Sequence, residues 1–173
     1  KIDTGYRFLY LREWLRQSEV DVFDMSHEYL KEIDRNIMKK AANYQFSDYF
    51  LRSSYDTIVI YQKFDYEYVL NDIETFETDY FVLRNEGEVI QGITLYDSDF
   101  PITIRNGRLD DRINLRFGSK RLSRFFVDRK IGHEKRYTWP VVVNAKNEVI
   151  FIAGIGCDVH HYSNNPSIFM IEL

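Results

Sequence analysis

The apolar residues of this 173-residue chain change their spacing partway along it, and that change points to a fold mixing helices with short strands. Phe8, Leu11, Trp14 and Leu15 recur at helical spacing within residues 6–19. Leu30, Ile33, Ile37 and Ala41 mark one face of a second helix at steps of three and four. Ser26 is its expected cap, and Lys39 and Lys40 lie in its last turn, where positive charge suits the helix dipole. Beyond that point the apolar residues come mainly in short runs closed by turn residues.

Those runs are read as strands. Phe46 to Leu51 and Thr57 to Tyr61 flank a turn from Arg52 to Asp56. Tyr80 to Leu83 and Val89 to Leu95 form an expected pair around Asn85-Glu86-Gly87, while Asn71 to Thr78 is acidic and shows no period. Ile102 to Ile104 precedes a turn at Asn106-Gly107 and a short strand at Ile113 to Leu115. Val141 to Val143 and Val149 to Ile152 make a hairpin across Asn144 to Asn147, and Ile168 to Ile171 is a last strand. Polar Asp97-Ser98-Asp99 just ahead of Pro101 places a domain boundary. The expectation is α+β: residues 1–98 as helices plus a β-hairpin, and residues 99–173 as a mixed sheet with one basic amphipathic helix.

The 13 Tyr and 13 Phe supply enough apolar area for a real core even if the chain divides in two. No apolar run approaches the roughly 20 residues of a membrane-spanning helix. Residues 1–10 lack the pattern of a signal peptide. The one cysteine, Cys157, rules out an internal disulfide framework and suits a reducing compartment, so the expected setting is the cytoplasm. The chain opens Lys1-Ile2-Asp3 without Met, which reads as the interior of a longer protein.

The net charge of −4 conceals an uneven distribution. Residues 1–104 hold 11 Lys/Arg against 20 Asp/Glu, whereas residues 105–136 hold 11 against 4. One basic block in an acidic chain is the usual footprint of a polyanion site. Within it, Gly118-Ser119 opens an expected helix running to about Asp128, capped by Ser119. Leu122, Phe125 and Phe126 share one face of that helix, and Lys120, Arg121 and Arg124 gather on the other. Several guanidinium groups on one rigid face suit phosphate oxygens, and the helix N-terminus would add backbone donors. A solvated outer face is the competing reading of the spacing alone; the local charge excess favours the polyanion.

The same residues carry a resemblance. Ile104-Arg105, Asp111-Arg112, Gly118-Ser119-Lys120-Arg121-Leu122, Phe125 through Ile131, Arg136, Trp139-Pro140-Val141 and Ile152-Ala153-Gly154 follow in the order seen in the final domain of bacterial tRNA(Ile)-lysidine synthetase, which this region resembles. Tyr55-Asp56 followed by Ile58-Val59-Ile60 is more weakly similar to that family's preceding domain. Two positions depart: Asp110 stands where the family has Gly, and Tyr137 where it has an acidic residue. The resemblance implies an enzyme that uses ATP, with magnesium, to activate the wobble cytidine of a minor isoleucine tRNA for attack by free lysine. The family's phosphate-holding Ser-Gly-Gly loop does not occur in this chain, so the resemblance implies no catalytic residue and no cofactor here. The implied partners are tRNA and the enzyme's own N-terminal catalytic domain. Lys120, Arg121 and Arg124 are the expected phosphate contacts. Arg105, Arg112 and Arg136 form a second rank, for which ion pairing of Arg112 or Arg136 with Asp111 or Asp128 is the alternative. Arg129 is expected to snorkel past the core, and Trp139 to lie within it.

Other chemistry has less support. Cys157, His160 and His161 could ligate zinc, but a structural site needs four ligands and no second pair with that spacing exists. His27 and His133 have no partner pattern for a nucleophilic triad. Two other classes remain: a protein-interaction module whose acidic and basic halves bind a partner or a second copy as a homodimer, and an independent small enzyme.

Overall fold

The structure, a computed structural model, describes residues 6–23, 25–37, 41–46, 48–54 and 57–172. The chain forms two compact units, residues 1–63 and 64–173.

In the first unit, α1 (Arg7–Gln17) and α2 (His27–Ile37) accompany an antiparallel meander of β1 (Ala41–Phe46), β2 (Tyr49–Ser54) and β3 (Thr57–Gln62). Leu11 and Leu15 of α1 and Leu30, Ile33 and Ile37 of α2 are buried with Phe46 and Leu51, so the three-and-four spacing does select the core face. Ser26 caps α2 as expected, its Oγ accepting from the Tyr29 amide at 3.2 Å. Arg7 ties the helices together through a two-pronged contact to Asp34 at 2.6 and 2.7 Å. Phe46 to Leu51, expected as one strand, instead spans the turn between β1 and β2. Ala41 opens β1 rather than closing the helix face. Lys39, Lys40, Tyr55 and Asp56 lie outside the described residues.

The second unit contains β4 (Glu67–Leu70), β5 (Phe81–Arg84), β6 (Gly92–Ile93), β7 (Ile102–Asn106), β8 (Arg112–Leu115), β9 (Gly118–Arg121), α3 (Leu122–Asp128), α4 (His133–Arg136), β10 (Pro140–Val143), β11 (Val149–Ile152), β12 (Gly156–Cys157) and β13 (Ile168–Glu172). A five-stranded sheet runs β12-β11-β10-β7-β4, a three-stranded sheet runs β5-β13-β6, and β8 and β9 form a separate ribbon. The class is α+β, and every pairing among the described strands is antiparallel.

Every residue of β10 and β11 is buried, which is why both read as continuous apolar runs rather than as alternations. Val142, Ile150 and Phe151 join Phe81, Ile93, Ile104 and Met170 in one cluster. Val141, Val143 and Ile152 join Ile113, Leu122 and Phe126 in another. The β10–β11 turn is set by Asn144, whose Oδ1 accepts from the Lys146 and Glu148 amides.

Two expectations give way to long-range pairing. β5 and β6 do not form a hairpin, because β13 inserts between them. The compact units divide at 63/64 rather than at 98/99, since β4 pairs with β7 and β5 and β6 pair with β13. None of the described helices is long and apolar enough to cross a membrane.

Candidate nucleic-acid interface

The basic block folds as a ribbon followed by a short helix. Gly118 to Arg121 forms β9 against β8, and α3 begins only at Leu122, with Arg121 in an extended conformation as its N-cap. Ser119 therefore does not cap a helix. The first α3 amides are satisfied from the preceding loop: Leu122 donates to the Asp111 carbonyl at 2.8 Å and Ser123 to the Leu109 carbonyl at 3.3 Å. With those donors engaged, the expected helix N-terminal anion site is not formed.

A strand alternates its side chains, so Lys120 and Arg121 cannot share a face. Ile113 lies opposite Lys120, and Ile113 is fully buried; this pair faces the core. The Lys120 ammonium sits 4.3 Å from the centre of the Phe125 ring and donates to Asp128 at 2.7 Å. That hydrogen bond, with the charges of Lys120 and Arg124, holds the Asp128 carboxyl below the usual carboxylate range. Lys120 is thus paired with Asp128, and Arg124 acts on the same carboxylate only through its charge.

The outward face of the ribbon pairs Arg112 with Arg121 and Asn114 with Ser119, all four exposed. Like charges directly opposite each other in a ladder are destabilising. Neither arginine has a hydrogen-bond or ion-pair partner among the described residues, so the expected alternative for Arg112, pairing with Asp111 or Asp128, is not what the structure contains.

Asp111 is instead the partner of Arg105. The two meet fork to fork at 2.8 and 2.9 Å, with side chains only 9% and 10% exposed. Arg105 also donates to the Asn106 carbonyl, so its guanidinium is directed inward. Arg136 donates through Nε to the Ile131 carbonyl at 2.8 Å and lies over the Phe126 ring. Arg129 reaches the Gly154 carbonyl at 2.7 Å. Trp139, expected within the core, is partly buried and packs edge-on against Phe126 at the core's side, donating to the Ala153 carbonyl.

Arg116 and Phe117 are not among the contacts expected from the sequence. They form the tip of the ribbon, between Leu115 and Gly118, and Phe117 is 95% exposed. Gly118 turns the chain there with φ of 115°, a conformation that favours glycine. An aromatic residue just ahead of that glycine was the available signal, legible only once Gly118 is read as a turn residue.

The Cys157–His161 segment is organised differently from a metal centre. His161 is buried between two carboxylates, Nδ1 lying 3.3 Å from Asp158 and Nε2 3.2 Å from Asp99. Burial pushes the half-buried Cys157 thiol up from its ordinary pKa. Among the described residues no group of three or more His, Cys, Asp or Glu could hold a metal ion.

Residues 102–168, which contain the ribbon, match the family model of the TilS substrate C-terminal domain. Over 58 residues the chain is 41% identical to tRNA(Ile)-lysidine synthase of Bacillus subtilis (strain 168), covering 32% of this chain and 12% of that protein. Over 63 residues it is 41% identical to tRNA(Ile)-lysidine synthase of Exiguobacterium sibiricum, covering 36% of this chain and 15% of that protein. A solved TilS C-terminal domain aligns with 61% of this chain and 92% of its own length, at 18% identity and a TM-score of 0.45. The matched stretch thus spans about an eighth of the length of these curated relatives. Residues 102–168 thus match the TilS substrate C-terminal domain model, and the resemblance read from the sequence, to the C-terminal domains of bacterial tRNA(Ile)-lysidine synthetase, is borne out.

Proposed function

We propose that the chain is the non-catalytic, tRNA-binding C-terminal portion of a cytoplasmic tRNA(Ile)-lysidine synthetase. The observation that carries this reading is the cross-strand pair Arg112 and Arg121, exposed on one face of a rigid ribbon with no carboxylate between them. Two guanidinium groups held side by side repel each other in the unbound protein and are relieved by an anion that accepts from both. A phosphate of an RNA backbone meets that need, and the strand pairing sets the two backbone positions opposite each other before binding.

Arg124 and Lys120 stand in a second rank. Among the described residues Asp128 pairs with Lys120 alone, which leaves the positive charge of Arg124 in excess there, and Lys120 can exchange its carboxylate for a phosphate. Arg105 and Arg136 hold the fold that presents the ribbon. Adenylylation of the wobble cytidine with ATP and magnesium, and attack by lysine, fall to the N-terminal catalytic domain of the parent enzyme. The present chain supplies grip and orientation.

The test is binding of this chain to minor isoleucine tRNA and to elongator methionine tRNA, followed by fluorescence anisotropy, for the wild type and for Arg112→Ala/Arg121→Ala. A clear loss of affinity in the double variant supports the reading, and a difference between the two tRNAs assigns discrimination to this portion. Equal affinity of wild type and double variant rejects it.

A further inference from the structure

We infer that Phe117 is a stacking platform for an accessible nucleobase at the end of the basic ribbon; this rests on the RNA-binding reading above. Turn positions are ordinarily filled by small polar residues, for reasons of local hydrogen bonding. Here the tip carries a phenyl ring that is 95% exposed, a costly placement for a side chain of this size. Packing does not explain it, because the ring's one described contact is the Arg116 guanidinium, 5.6 Å from its centre.

The backbone explains the projection of the ring. Gly118 adopts φ of 115°, and nothing lies within 4 Å of the point where its Cβ would stand. The glycine is therefore required for the turn and not for close packing, and the turn directs Phe117 away from the sheet. Ile113, fully buried against α3, anchors the ribbon at its base.

Charge complementarity selects the occupant. The tip follows a face carrying Arg112 and Arg121, with Arg116 beside the ring itself. An apolar protein partner would leave these guanidinium groups without acceptors. A nucleic acid supplies phosphates for the arginines and a π-face for the phenyl ring. Aromatic rings set among cations are the recurring means of holding unpaired bases. The base face can come from a single-stranded nucleotide or from the terminal pair of a stem, and the chemistry is the same.

The experiment uses the whole chain with two RNA probes: a blunt stem-loop, and the same stem-loop with a single-stranded 3′ extension containing 2-aminopurine. Phe117→Ala, Phe117→Leu and Phe117→Trp are compared with wild type. At 95% exposure none of these changes should alter the melting temperature. The expected result is an affinity loss of about 5- to 150-fold for the Ala and Leu variants, with near-normal binding by Trp and an unchanged salt slope. A loss seen only with the extension, accompanied by loss of 2-aminopurine quenching, identifies an unpaired nucleotide. An equal loss on both probes identifies the terminal pair. Wild-type affinity in the Ala variant overturns the stacking claim while leaving the arginine reading intact if Arg112→Ala/Arg121→Ala still weakens binding. Retention by Leu alongside loss by Ala also overturns it, since that is apolar contact without stacking. Normal RNA binding with loss of self-association in sedimentation assigns Phe117 to a contact between copies and rejects the proposal. Failure of the wild-type chain to bind either probe rejects both readings together.

Discussion

Arg105 and Asp111 form a two-pronged ion pair at 2.8 and 2.9 Å in which both side chains are about nine-tenths buried. Asp111 also accepts from the Arg108 amide, and its carbonyl accepts from the first amide of α3. The pair thus joins β7 to the loop that leads into the ribbon and that accepts from the start of α3. Removing one partner leaves a buried charge uncompensated. Asp111→Ala should cost about 3–5 kcal/mol in urea unfolding, and Arg105→Met/Asp111→Leu should cost much less than Asp111→Ala alone. Equal losses would show that the charge pairing is not the main contribution of these residues.

Arg112→Glu places opposite charges across the ribbon from Arg121. Stability should be unchanged or rise by about 0.2–1 kcal/mol, because a repulsive cross-strand pair becomes an attractive one. RNA affinity should fall in the same variant. Thermal unfolding and anisotropy on one sample would show this opposition, which an ordinary structural arginine would not give.

Tyr66 stacks on Tyr80 with ring centres 4.3 Å apart and donates to the Thr138 carbonyl at 2.8 Å. Burial foremost, with Tyr80 and Tyr68 nearby, pushes its phenol far above the ordinary tyrosine value. A folded-state value raised above the unfolded one gives stability that is complete below about pH 10 and is lost as pH rises beyond it. Tyr66→Phe should lose about 1 kcal/mol at neutral pH with the hydrogen bond, and its stability should decline less steeply above pH 10. Urea midpoints across that range provide the check.

The hydrogen bond from Lys120 keeps the Asp128 carboxyl below its ordinary value, so Lys120→Met should raise the Asp128 titration midpoint, read by carboxyl-carbon NMR. Because the folded-state value is depressed, the contribution of this pair is present above the ordinary carboxylate pKa and fades as pH falls through the depressed one. Bound RNA that draws Lys120 onto a phosphate should move the wild-type midpoint the same way.

What the sequence disclosed follows the range of the forces involved. The β10–β11 hairpin is legible because its buried strands are continuous apolar runs and Asn144 supplies the turn locally. The α2 core face and the Ser26 cap are legible for the same reason. Gly118 to Arg121 misleads because Ser-Lys-Arg ahead of an apolar helix resembles a helix start. Its strand character comes from pairing with residues 112–115, which no local period reports. That change of element moves Lys120 inward and leaves Arg121 facing Arg112. The basic block was visible as charge, but its geometry depended on a register that the residues of the block do not specify alone. The insertion of β13 between β5 and β6 is hidden likewise, since its partners are remote in sequence.

The central claim is that Arg112 and Arg121 grip RNA phosphates, and the salt dependence of tRNA binding tests it most directly. Affinity of the wild-type chain should fall steeply as salt rises, and Arg112→Ala/Arg121→Ala should reduce the log–log slope by about one per arginine removed. A double variant that binds with the same slope and affinity as the wild type would contradict the account.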